Sequence, residues 1–116
     1  TGHDGSLSTG HANSPADMLS RLETLVLMGA DIPLTAVRRQ IASAIDIIVH
    51  LGRLRDKSRR VLEITEVLDL RNGEYVLNPI YTFVKRGQDK ENITGTLEKV
   101  GELKCRDKLD RAGIRL

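Results

Sequence analysis

Two stretches near the start of the chain carry apolar residues at helical spacing. Met18, Leu22 and Leu25 stand four and three residues apart, with Leu19 and Val26 beside them, and Gly29 follows. That spacing predicts an amphipathic helix from Pro15 to about Gly29. Ser14 suits the cap position, Pro15 the first helical position, and Asp17 the positive N-terminal end. A second helix is predicted after Asp31, with Pro33 in its first turn. Val37, Ile41, Ala44 and Ile45 form its apolar stripe, and Arg38, Arg39 and Gln40 are expected to face out. The helices together occupy about residues 15–45.

The pattern then changes. In Asp46-Ile47-Ile48-Val49-His50-Leu51 four of the six residues are large aliphatics without alternation. Such a run predicts a strand buried on both faces, hence a mostly parallel sheet whose other strands lie upstream of Thr1. Gly52 to Arg60 is polar and reads as a turn. Val61–Leu70 reads as a strand, and Asn72-Gly73 is a strong hairpin signal, because both residues tolerate positive φ. Glu74–Leu77 and Ile80–Lys85 continue as strands, broken at Asn78-Pro79, in an antiparallel meander. Strands thus fill about residues 46–97, ending with Ile93–Leu97 after a polar loop at Gln88–Asn92. A short helix is predicted over Leu103–Ala112, stopped by Gly113. Ser6–Thr9 reads as a short strand of small residues or an extended loop.

Composition narrows the function. Aromatic residues make up 3% of the chain, which leaves no base-stacking platform. Residues 1–52 hold 3 Lys/Arg against 5 Asp/Glu, and residues 53–116 hold 15 against 11. The second half is mildly basic but lacks the density of a dedicated nucleic-acid binder, so no specific nucleic acid is expected. The single cysteine, Cys105, allows no intrachain disulfide and fits a reducing compartment. No apolar run reaches the ~20 residues of a bilayer span. The chain opens at Thr1 rather than at Met and reads as the interior of a longer reading frame.

Thr1-Gly2-His3, followed by Ser8-Thr9-Gly10-His11-Ala12-Asn13-Ser14, resembles the histidine box of the type II/type IV secretion ATPase superfamily. Leu19–Thr24, Gln40–Asp46, Ile48-Val49-His50, Ser58-Arg59-Arg60, Ile64–Val67 and the closing Arg111–Arg115 resemble its CpaF-like branch, whose members drive tight-adherence pili. The resemblance covers nearly the whole chain. It implies the C-terminal part of a RecA-like P-loop ATPase domain of the α/β class, working as a homo-hexamer with ATP and Mg²⁺ between subunits. It also implies a cytoplasmic place at the inner face of the cell membrane, against inner-membrane secretion or pilus platform proteins. One departure is decisive: no G-x-x-x-x-G-K-[ST] occurs in the chain, and no apolar strand ends in a Walker B acid. Both are expected upstream of Thr1, so these 116 residues are expected to bind no cofactor and to be inactive alone.

His11 follows the small-residue segment, where ligands of open α/β sheets gather beyond strand ends. An imidazole there can bond a terminal phosphate or orient a water. Spacing alone does not separate this from a surface histidine; the resemblance makes His11 the catalytic candidate. His3, Thr9 and Asn13 are supporting candidates from the same box. His50 is expected to be a hydrogen-bonded core residue. His3, Asp4 and His11 lack the paired ligand spacing of a zinc site, so no metal site is assigned. Arg53, Arg55, Arg59 and Arg60 read either as a solvated turn or as a contact for phosphate or a neighbouring subunit. The competing function is a non-enzymatic module docking an acidic protein or nucleic acid through Arg53–Arg60.

Overall fold

The computed structural model describes residues 7–29, 31–88 and 92–114. Helices α1 (Pro15–Gly29) and α2 (Leu34–Ala44) come first. Strands β1 (Ile47–Arg53), β2 (Arg59–Arg71), β3 (Glu74–Gln88) and β4 (Ile93–Lys99) follow, then a five-residue helix, α3 (Asp107–Arg111). The strands form one sheet in the order β1-β2-β3-β4, with every neighbouring pair antiparallel. The chain is therefore α/β, with two helices preceding an antiparallel meander, as its pattern predicts.

The helical stripes meet one face of this sheet. Leu19 of α1, Val37 and Ile41 of α2 and Val67 of β2 form the buried core, and Ile45, Ile48 and Leu77 pack around it. A polar triad fastens the same contact. Glu23 is buried, and its Oε1 accepts from Arg38 Nε at 2.8 Å and from the Tyr75 hydroxyl at 2.8 Å. Arg38 also donates to the Gly73 carbonyl at 3.1 Å. Arg38 thus turns inward instead of facing solvent, because a buried carboxylate needs a charge partner. Burial and the adjoining Glu23 carboxylate push the Tyr75 hydroxyl above its ordinary pKa.

β1 departs from expectation. Its side chains alternate between exposed and half-buried, with Ile47, Val49 and Leu51 at 42%, 49% and 62% exposure. Among the described residues it is an edge strand, antiparallel to β2, and only the face carrying Ile48 is covered by helices. The unbroken aliphatic run does not produce two-sided burial here, because no described layer lies over the other face.

The remaining differences have local causes. Asn72 (φ 54°) and Gly73 (φ 79°) form the tight β2–β3 turn that their dipeptide predicts. The turn between β1 and β2 is shorter than the polar run: Leu54 N donates to Ser58 O at 2.9 Å, and β2 already begins at Arg59. Asn78-Pro79 does not break β3. Thr65 faces Pro79 while Ile64 faces Tyr81, so Ile80 is an extra residue and the missing proline N–H falls at a bulge. The freed Ile80 carbonyl accepts from Val100 N at 2.7 Å and from Gly101 N at 3.2 Å. Gly101 is needed there, since a Cβ would strike the Pro79 carbonyl oxygen. Residues 7–9 of the small-residue segment form no strand; Ser6 lies outside the described residues.

The C-terminal segment is held by one carboxylate. Glu66 is 2% exposed, and it accepts from Lys104 N and Cys105 N at 2.9 Å and from Asn78 Nδ2 at 3.1 Å. Burial pushes its carboxyl up, but those main-chain and amide donors outweigh it, and the group sits below the usual carboxylate range. The helix begins only at Asp107, later than predicted, after the stretch whose 104 and 105 N–H groups bond Glu66.

Candidate functional site

The site is assembled at the entry to α1. Ser14 Oγ accepts from Asp17 N at 3.1 Å, which caps the helix. Asp17 Oδ2 accepts in turn from Asn13 N at 3.0 Å and from Arg21 Nε at 3.1 Å. The Asn13 amide donor and the Arg21 guanidinium hold the Asp17 carboxyl below its ordinary range. In this arrangement the main-chain N–H of Asn13, not its side-chain amide, makes the bond.

Residues 8–15 and β1 face each other across a groove of about 850 Å³. Thr9, His11 and Asn13 line one wall, all three exposed. His50, Arg53 and Arg59 line the other. His50 is half-buried in mid-strand, opposite Glu63, so it is a groove residue rather than a member of the core. Arg53 and Arg59 are register partners at the end of the β1–β2 ladder, both exposed. Neither is in an ion pair among the described residues. Like charges placed directly opposite repel, so this end of the groove favours an anion.

The other two arginines go elsewhere. Arg55 sits exposed in the turn between β1 and β2, off the groove. Arg60 donates to the Ile93 carbonyl at 3.0 Å and lies over the Phe83 ring, 5.7 Å from its centre. Beside it, Asp56 accepts from Ser58 Oγ at 2.5 Å, Ile93 N at 2.8 Å and Ser58 N at 3.0 Å. The Ser58 hydroxyl and the two N–H donors bring its pKa down to about 2. Asp56 and Arg60 thus lash the β1–β2 turn to the start of β4.

His3 and Asp4 lie outside the described residues. Among the described residues no three metal-ligating side chains cluster, and no helix is long and apolar enough to cross a membrane. Arg21 is the groove residue that sequence reading passed over; its four-residue spacing from Asp17 was the available signal.

The family model for type II/IV secretion system proteins matches residues 1–113. A conjugal transfer protein of Mycobacterium tuberculosis (strain H37Rv) is 38% identical over 64 residues, 55% of this chain and 18% of that protein. Conjugal transfer protein TrbB of Rhizobium radiobacter is 36% identical over 75 residues, 65% of this chain and 22% of that protein. The chain thus spans about a fifth of the length of the curated relatives it matches.

Proposed function

The chain belongs to the type II/IV secretion system protein family, and from that premise we propose that it is the C-terminal portion of a RecA-like secretion ATPase domain. In the whole protein, ATP and Mg²⁺ bind between subunits of a homo-hexamer, and His11 reaches the terminal phosphate. Thr9 and Asn13 support the loop, with His3 beginning the same box. Arg53 and Arg59 offer charge to phosphate or to a neighbouring subunit; Arg55, at the tip of the turn, suits only the subunit contact. The ring works on the cytoplasmic face of the inner membrane, against secretion, conjugation or pilus platform proteins, and the segments that follow the box, Leu19–Thr24, Gln40–Asp46 and Ile64–Val67 among them, favour the CpaF-like branch.

The observation that carries this reading is the groove. It is lined by His11 together with Arg53 and Arg59, neither ion-paired among the described residues, and along it runs β1, an edge strand among the described residues, with Ile47, Val49 and Leu51 exposed. An aliphatic, unpaired strand edge is a template for another strand. A P-loop half docked there would cover that edge and bring its phosphate cradle to His11. The sequence itself supplies no such cradle.

The test compares two proteins. The 116-residue chain is expected to hydrolyse no ATP and to give no heat of Mg·ATP binding, whereas the full-length protein does both and sediments as a hexamer with nucleotide bound. Stoichiometric binding near ~1 μM by the short chain would overturn the reading, and a full-length protein found only as a monomer would remove the ring. The competing module that docks acidic partners rests on exposed Arg53, Arg55 and Arg59. It predicts salt-sensitive capture of an acidic polymer by the short chain, abolished by replacing those three arginines.

A further inference from the structure

We propose that Asp17 is the positioning residue of the His11 segment, and that Arg21 is the group that fixes Asp17. Residues 7–12 form no helix or strand, and Thr9, Gly10 and His11 are all exposed. Backbone hydrogen bonds of regular structure therefore do not hold this stretch where it faces the groove. Among the described residues, the first polar bond that ties it to a regular element is the one from Asn13 N to Asp17 Oδ2, two residues beyond His11.

The same carboxylate oxygen takes Arg21 Nε, one helical turn further along α1. A carboxylate on a helix surface is free to rotate among rotamers; a guanidinium at i+4 restricts it and keeps its charge at the helix N-terminus, where the helix dipole also favours it. Ser14 completes the unit by accepting from Asp17 N, so the residue's main chain and side chain are both committed. Arg21 itself lines the groove, which puts the holder of the anchor beside the site it serves. Below the anchor the helix is fixed in its turn by Leu19 in the core and by the bonds of Glu23 to Arg38 and Tyr75. The order of His11 is thereby inherited from the packed α1–α2 layer through the half-buried Asp17, with the Met18 side chain of the same helix packed against Gly10. Misplacing a reacting group by about 1 Å costs up to ~10²-fold in rate, so loss of this anchor reads out in turnover while nucleotide affinity, carried elsewhere, stays.

This inference rests on the proposed ATP site for its kinetic consequence but not for its structural one, and two readouts separate them. In the 116-residue chain, the main-chain amide resonance of Asn13 is expected to follow the titration of Asp17 below the ordinary carboxylate range. The inflection should vanish in Asp17→Asn. A wild-type Asn13 resonance that does not move through that titration overturns the proposal. In the full-length protein, Asp17→Ala is expected to lower kcat about tenfold with KM for ATP nearly unchanged. Asp17→Asn, which keeps an acceptor oxygen, should recover part of the loss. Ser20→Gly weakens α1 from its exposed face without touching the loop and should leave kcat in place. Equal losses in Asp17→Ala and Ser20→Gly would mean that only helix stability was removed, and would overturn the positioning role. If Asn13 reports Asp17 but His11→Ala keeps wild-type turnover, the anchor stands and the ATP-site reading falls.

Discussion

The β3–β4 side of the sheet and the β1 side are finished in opposite ways. Where β2 and the β1–β2 turn meet β3, β4 and the C-terminal segment, the polar groups are closed by partners: Glu66 by three donors, Asp56 by the Ser58 and Ile93 N–H groups and the Ser58 hydroxyl, and Arg60 by a carbonyl and an aromatic ring. Along β1 the aliphatic side chains of Ile47, Val49 and Leu51 stand in the open, next to Arg53 and Arg59, which have no acidic partner among the described residues. A fold that satisfies a buried carboxylate with main-chain N–H groups is complete in itself at that place. At the other, an aliphatic strand edge lies beside two register-paired arginines, and no described layer covers it. The difference teaches where to look for function: at the unfinished side, where His11 lies.

The largest effect on stability is expected at the closed side. Glu66→Ala strands two main-chain N–H donors and takes one of two acceptors from the Asn78 amide, which keeps its bond to the Glu102 carbonyl. It should lower unfolding free energy by about 2–4 kcal/mol, measured by urea titration. Glu66→Gln, which keeps one acceptor oxygen, should cost less. If both variants unfold like the wild type, the C-terminal segment is not fastened as described. Tyr75→Phe removes one bond to Glu23 while keeping the ring and should cost about 1 kcal/mol. A loss as large as that of Glu66→Ala would make the helix contact, not the C-terminal clasp, the stronger tie.

Acid sharpens the same contrast. The folded-state pKa of Asp56 is depressed from 3.8 to about 2. The folded state therefore holds its proton less tightly than the unfolded chain. The stability this contributes is fully present above about pH 4 and is lost as pH falls toward 2. Asp56→Asn should flatten the fall of melting temperature across that window, and an unchanged slope would show that the hairpin tie carries no linkage. The smallest effect belongs to the open side. In the short chain Leu51→Lys should change stability by less than about 0.5 kcal/mol, because the side chain is already exposed. In the full-length protein the same change should be plainly destabilising, if a further strand covers that edge.

Much of the fold was legible in the sequence. Apolar spacing around Leu19, Val37 and Ile41 gave both helices, and Asn72-Gly73 gave its turn. Non-local chemistry was not legible. Nothing local to Arg38 says that a carboxylate fifteen residues earlier will bury and draw it inward. Nothing beside Pro79 says that a bulge opposite Ile64-Thr65 will accommodate it. The aliphatic run at Ile47–Leu51 misled for a different reason: hydrophobicity alone does not say how many layers cover a strand, and among the described residues only one face of β1 is covered. His11, Thr9 and Asn13 were singled out by their resemblance to the histidine box, not by spacing alone. That Arg53 and Arg59, but not Arg60, would share their groove depended on the register of β1 against β2 and on the pull of Phe83 and the Ile93 carbonyl.

Whether His11 acts on the terminal phosphate is decided most directly by His11→Ala in the full-length protein, with kcat and nucleotide Kd measured alongside His50→Ala and thermal melts of both. Loss of an imidazole that bonds phosphate or orients water should lower kcat by about 10²–10⁴. Kd should move by less than about threefold and the melting temperature hardly at all, since His11 is exposed. His50→Ala, from a half-buried strand position, should lower the melting temperature more than His11→Ala does. Wild-type turnover in His11→Ala would contradict the assignment of the groove as the ATP site.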